Sequence, residues 1–404
     1  MNRIIGFLLI LVLSLMDIFC SLEKPTEIDG RICARFVVVD TSGILSTDSL
    51  SNVVVPYAQI MITSIDYNML LQYQTDGNGI FKVQNALASR YRIFAYKHLS
   101  SEDMLNLGKE GIGIMLTGSI EMNIPNHRAE QQIDSLKVGQ MSISPIVVNE
   151  IYYSCPANSG LYISDQYVEL YNASDEVQYL DKLLICRVYG TKEYYNKIVA
   201  IEYYQFPGSG TDHPIEPGQY VVIAQDAINH VIDGGAKESI DLSNADWEFY
   251  NQHVADIDNP DVPNLTNAAP ARVGLDFMIN LSADEVCLIQ MDDFDPVRYH
   301  EENGQVTNRR IFNIVQVLDG VEYAGEQDHN KAFDIRIDAG LAGYGIKDYS
   351  GKSIERHHPV TGGPGFDTNN STFDFVNLYH PTPGWQHTEA DIFHPKNNLV
   401  FRPH

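Results

Sequence analysis

The chain has 404 residues, with 53 Asp plus Glu against 27 Lys plus Arg and a formal net charge of −26. Such a surface repels phosphate backbones, which are bound mainly through Lys and Arg, so nucleic acid is excluded as a general ligand. Hydrophobic residues make up 44%, including 23 Tyr and 16 Phe. That supplies a sizeable core and argues against global disorder, and the length allows two or three domains of about 150 residues each.

At the N-terminus, Arg3 precedes an apolar run from Ile4 to Met16, and Cys20 follows shortly after. The run is too short for a comfortable membrane span and has the anatomy of an export signal. Residues 1–20 are therefore expected to be a signal peptide of lipoprotein type, with Cys20 lipidated and tethering the protein to a membrane. Asp17 and Phe19 stand where such signals carry a Leu-like and a small residue, so ordinary cleavage and secretion is the alternative. The remaining cysteines, Cys33, Cys155, Cys186 and Cys287, form no CxxC pair, which leaves a zinc cluster unsupported. Four cysteines in an oxidising compartment allow three pairings, and buried free thiols are an equal reading.

Residues 31–140 alternate with period two between turn clusters, the pattern of a β-sandwich. "ARFVVVD", "YAQIMITSI" and "SRYRIFAYK" read as strands, and "QYQTDGNGIFKV" as strand, tight turn, strand. Gly77 and Gly79 accept positive φ in that turn, and Asp76 can bond its own backbone. Thr75-Asp76, Gly79-x-Phe81 and "NALASRYRIFAYK" together resemble the transthyretin-like module, also found as the regulatory domain beside carboxypeptidases. That resemblance implies a structural or interactive role without catalytic residues.

A second sandwich is expected over 144–385, with 386–404 as a tail. Asn149-Glu150-Ile151, then Glu169-Leu170-Tyr171-Asn172, then Leu180 with its strand, then Pro217-Gly218 with "YVVIAQ" resemble the lamin tail domain in order. The resemblance implies an immunoglobulin-like fold in which Asn149, Glu150, Glu169 and Asn172 belong to the fold's own signature. Residues 227–264 read as an insertion. Within it, "SNADWEFYNQHVAD" is expected to form a short helix capped by Ser243 or Asn244, with Asp246 and Glu248 in its first turn. As a whole the chain resembles a Bacteroides family of envelope proteins, domain of unknown function 4876, through "NEIYY", "FPGSGTDHPIEPGQYVVIAQDAINH", "DIDNPDVPN" and "DTNNSTFDF". This implies an envelope location, as an outer-membrane lipoprotein, and no defined activity. The expected fold class is all-β, two sandwiches with a loop and helix insertion.

Several constellations invite a chemical reading. Strict alternation would put Val148, Glu150 and Tyr152 on one face and Val147, Asn149 and Ile151 on the other. Glu150 and Glu169 meeting in a cleft could act as acid and base. The structural reading is preferred: a strand carboxylate accepts backbone N–H bonds and fixes a turn. Asp256, Asp258, Asn259 and Asp261 offer closely spaced oxygens of the kind calcium takes, without the EF-hand's Gly and Glu. Asp256, Asp258 and Asp261 are the candidate metal ligands, against a solvated acidic turn. "MDDFDP" (Asp292, Asp293, Asp295) invites the same two readings. In "FPGSGTDH", Gly210 follows Ser209 directly, so the nucleophile elbow is not matched. Scattered histidines, including His357, His358, His380, His387 and His394, assemble no metal motif. No cofactor is expected beyond the calcium weighed at the acidic loop.

The functional expectation is a non-enzymatic exported envelope lipoprotein acting as a binding or scaffold module. Its partners would be the membrane, through the lipid, and a surface protein or an outer-membrane transporter of the TonB-dependent kind. The rivals are a divalent-metal-dependent hydrolase of glycan or phosphate ester, and an adhesin or matrix protein.

Overall fold

The computed structural model describes residues 31–46, 53–64, 69–108, 114–124, 133–141, 144–157, 162–190, 197–252, 255–268, 277–291, 299–302, 305–326, 329, 331–334, 336–357, 367–395 and 399–400. The expected signal segment with Cys20, the side chain of Cys33, and Asp292, Asp293 and Asp295 lie outside them. Strands dominate and helices are short, so the expected all-β class holds. Contacts divide the chain into two units. One runs to Lys97 and adds Ile120–Val138 and the C-terminal strand; the other is His98–Ser119 with Gly139–Asn398. Among the described residues no helix is long and apolar enough to cross a membrane.

The strands of the N-terminal part are β1 (Arg31–Asp40), β2 (Val53–Val54), β3 (Gln59–Ser64), β4 (Met69–Gln74), β5 (Ile80–Leu87), β6 (Ser89–Leu99), β7 (Ile114–Ile124) and β8 (Ile133–Met141). β1 pairs antiparallel with β5 and parallel with β8, and β3 lies between β4 and β6. Alternation does the sorting. Ala34, Phe36 and Val38 of β1, Ile60 and Ile62 of β3, and Tyr91, Ile93 and Ala95 of β6 are buried. Phe36 and Phe81 are register partners, and their rings stack 4.9 Å apart.

The "TDGNG" turn joins strands that do not pair with each other, since β4 bonds β3 while β5 bonds β1. It therefore needs its own fastenings. The Thr75 hydroxyl donates to Val55 O at 2.8 Å and accepts from Ala58 N at 2.8 Å. Asp76 Oδ1 accepts from Asn78 N and Ile80 N, bonds that hold its carboxyl below the ordinary range. Gly79 closes the turn at φ +69, where a Cβ would stand 3.0 Å from both Val54 Cβ and Val55 N.

The second unit carries β9 (Ile146–Tyr152), β10 (Tyr167–Asn172), β11 (Gln178–Tyr179), β12 (Leu183–Gly190), β13 (Lys197–Gln205), β14 (Pro214–Ile215), β15 (Tyr220–Ala224), β16 (Trp247–Tyr250), β17 (Asn264–Asn267), β18 (Ala283–Gln290), β19 (Tyr299–Glu302), β20 (Gln305–Asn313), β21 (Val317–Ala324), β22 (Ser353–Arg356) and β23 (Phe375–Leu378). β24 (Leu399–Val400) belongs to the first unit, parallel to β4. The large sheet runs β21-β18-β12-β13-β17-β16-β15-β10-β9-β22-β23. It curls until β21 lies beside β9. There Asp319 accepts from Val148 N at 2.7 Å, and Arg356 Nε donates to Val148 O at 2.8 Å. The buried Arg356 guanidinium also meets Asp319 at 2.7 Å and Asp367 at 3.2 Å. Its concave face is filled by Val148, Ile151, Val168, Leu170, Ile223, Trp247, Phe249, Leu288 and Val321, among others.

Two expectations are corrected here. "WEFY" is strand β16, not a helix, and lies parallel to both β15 and β17. Its aromatics alternate: Trp247 and Phe249 enter the core, while Glu248 turns to the other face and accepts from Ala227 N and Asn259 N. Pairing with both strands outweighs the local helix signals. Strict alternation in β9 also fails. The register steps from Glu169↔Glu150 to Leu170↔Val148, so Asn149 is the extra residue of a β-bulge. Ile146 and Val148 face the core, and so do Ile151 and Tyr153, while Asn149 and Glu150 share the opposite face.

Substituting Gly79→Ala is expected to lower the urea-unfolding midpoint by an amount worth about 2 kcal/mol, through φ strain and the close Cβ contacts. An unchanged midpoint would contradict this account of the turn.

Candidate functional site

The bulge gathers three acids in a row. Glu169 on β10, Glu150 on β9 and Glu355 on β22 are register neighbours across three antiparallel strands, and each is fully buried. What covers them is the turn after β23, Thr382 to His387. Thr382 N donates to Glu150 at 3.1 Å, Gly384 N to Glu169 at 2.6 Å and His387 N to Glu355 at 3.2 Å. Side chains complete the set. Ser353 donates to Glu150 at 2.5 Å, Asn149 Nδ2 to Glu169 at 2.8 Å, and His387 Nδ1 lies 2.6 Å from Glu355. The acids are thus spent on fastening one turn, and that turn leaves Trp385 49% exposed.

Three carboxylates this close and this dry cannot all be ionised at modest cost. Burial, then the charge of Glu355, pushes the Glu150 carboxyl from 4.5 up to about 8. Burial, then Glu150, raises Glu169 well above its ordinary range. Burial likewise raises the nearby Tyr167 hydroxyl, with Glu150 and Glu169 adding to it. A protonated carboxyl is a poor general base, and all three acids are shut off from solvent.

The other predicted residues are placed separately. Asn172 closes its own corner, donating to Glu176 O and Ile215 O at 2.8 and 2.9 Å. In the acidic loop, Asp256 accepts from Asn251 N, Asp258 from Asn264 Nδ2, and Asn259 Oδ1 from Asp261 N. Asp256, Asp258 and Asp261 are not among the described carboxylate and imidazole groups that converge closely enough to share an ion. Ser209 donates to Asp212 at 2.8 Å, Asp181 fastens Gly210 N, Asp212 N and His213 N, and His213 packs edge-on to Trp247. No serine–histidine pair forms there. Cys186 and Cys287 are register partners on β12 and β18 and are buried free thiols, as is Cys155.

Sequence reasoning missed Glu355, Thr382, Glu248 and Glu322 as members of this pattern. For the three glutamates the only signal was an acid inside a strand, as in "SIER" and "LDGVEYA"; Thr382 carries none. Glu322 repeats the arrangement on β21, accepting from Ala332 N at 2.7 Å and Phe333 N at 2.9 Å.

Fold and site together define a class: an all-β protein whose large curled sheet carries buried carboxylates that fasten covering loops. The family resemblance drawn from the sequence phrases also holds. Residues 216–382 match the model of a family described as "Protein of unknown function (DUF4876)". Among solved structures, the chain is similar to a DUF4876 family protein from Bacteroides thetaiotaomicron VPI-5482, at 21% identity over 91% of this chain and 100% of that one, with a TM-score of 0.52. At that identity the likeness carries the fold. No curated protein matches.

The raised carboxyls fix a pH dependence. The folded state keeps a proton on Glu150 that the unfolded chain releases, so the contribution of this group to stability is full below pH 4.5 and is lost as pH rises through about 8. Glu150→Gln keeps an uncharged acceptor for Thr382. Between about pH 5 and about pH 8 its unfolding free energy is expected to fall by about 2 kcal/mol less than that of wild type. Parallel pH profiles from urea titrations would contradict the shared-proton picture.

Proposed function

We propose that the chain is a non-enzymatic binding or scaffold module of the bacterial cell envelope. In this reading a lipid on Cys20 tethers it at the outer membrane, and a transthyretin-like and a lamin-tail-like sandwich hold loops toward a partner. The observation that carries it is the state of the acids: Glu150, Glu169 and Glu355 are buried and bonded to a turn, which suits bracing and not bond cleavage. The same bracing leaves large apolar side chains outside. Trp385 is exposed on the fastened turn, and Ile232 and Ile257 are exposed in the insertion. Aromatic side chains held on rigid supports are favoured contact residues in protein interfaces. The partner we favour is an integral outer-membrane transporter, chosen because the export signal and tether would place the chain beside one.

Affinity capture of the tagged, lipidated chain from native membranes in mild detergent tests this. A co-purifying membrane protein is expected, with Trp385→Ala weakening its retention at least tenfold, about 1.4 kcal/mol. Failure to recover a membrane partner, or metal-dependent turnover of a glycan or phosphate ester that Glu150→Gln abolishes, would overturn it.

A further inference from the structure

On β18 and β21, Glu285 and Glu322 are register partners, so two acids stand directly opposite each other on the face away from the main core. Like charges in that position destabilise a sheet unless something lies between them. Glu322 is fully buried and Glu285 is 8% exposed. Among the described residues the Glu285 carboxylate makes no hydrogen bond or ion pair. His329 reaches the same place from the loop after β21. Its Nε2 is buried without a hydrogen-bond partner and lies 3.5 Å from Glu322 Oε1. One ligand atom from each of Glu285, Glu322 and His329 falls within 4.8 Å of the others.

The 3.5 Å gap is long for a hydrogen bond but suits two donors on one ion. Bonds of about 2.0–2.1 Å in tetrahedral geometry separate two ligand atoms by about 3.3 Å. Charge points the same way. Lys331 Nζ sits 2.8 Å from Glu322 Oε2 and 4.0 Å from Asp338 Oδ2. Among the described residues one ammonium therefore serves two acids, while Glu285 opposite them has none in contact. Asp284, beside Glu285, is already matched by Arg187 at 2.7 Å. Glu322 Oε1 faces the imidazole and also accepts from Ala332 N, while Oε2 takes Lys331 and Phe333 N.

We propose that Glu285, Glu322 and His329 form a binding site for one divalent cation of the zinc class. An imidazole with two carboxylates selects a borderline metal over calcium. The ion would join strands β18 and β21 to the loop carrying His329, whose continuation, Ala332 and Phe333, is already fastened to Glu322. Metal binding then adds to folding stability, because the unfolded chain holds no such arrangement.

The test uses the full chain, stripped with chelator and titrated with zinc chloride in a calorimeter, with manganese and calcium chlorides in parallel. One zinc per chain is expected, with calcium binding at least tenfold weaker. His329→Gln and Glu285→Gln should each weaken zinc at least tenfold, and Asp258→Asn, in the acidic loop, should leave it unchanged. Saturating zinc should raise the melting temperature of wild type and not that of His329→Gln. Without metal, Glu285→Gln should be at least as stable as wild type, since it removes the opposed charge. No stoichiometric zinc binding, or equal binding by the wild type and both ligand variants, would overturn the proposal.

Discussion

The structure of the second unit depends on one interaction, a buried carboxylate on the sheet accepting backbone N–H groups from the segment that covers it. Glu150, Glu169 and Glu355 hold the turn of Thr382 to His387. Glu248 holds Ala227 and Asn259, Glu322 holds Ala332 and Phe333, and Asp319 holds Val148. A large sheet has two faces, and only one can line the main core. The other must be covered by irregular chain, whose N–H groups find no ladder to join. An acid with two oxygens serves two such groups at once, and bonds to a charged or shared-proton carboxylate are stronger than neutral ones.

This arrangement has a cost, visible in the raised Glu150 and Glu169 carboxyls. Burying like charges together is tolerable only when protons or cations enter with them. The glutamate row resolves the conflict with protons, and His387 Nδ1 lies 2.6 Å from Glu355. The seam between β21 and β9 resolves it with Arg356, whose guanidinium meets Asp319 and Asp367. At the pair of Glu285 and Glu322, Lys331 meets Glu322 among the described residues, and burial pushes the Glu285 carboxyl up to about 8. The same physics therefore braces one region and, in our proposal, prepares a cation site in another.

The fold class was legible because alternation and turn chemistry agree almost everywhere. Phe36, Val38, Ile60 and Ile62 are buried as their spacing implies, and Asp76 caps its turn. Two local readings failed for tertiary reasons. "SNADWEFY" carries helix-start residues, but pairing with both β15 and β17 recruits Trp247 to Tyr250 as a strand. In "IVVNEIY", alternation assigned Val148 and Glu150 to one face; the bulge at Asn149 separates them and sets Asn149 beside Glu150. No single-residue propensity marks such a bulge. The site was half legible. Glu150 and Glu169 stand out as acids within strands, but Glu355 and the turn that joins all three come from far later in the chain, Glu355 lying 206 residues after Asn149.

Amide hydrogen exchange of Gly384 in a Glu169→Ala variant tests the bracing account most directly. The Gly384 N–H, held by Glu169 at 2.6 Å in the wild type, is expected to exchange much faster in the variant, while amides within β9 and β10 keep their slow rates. Unchanged protection at Gly384 would show that the carboxylate does not hold the turn and would contradict the account.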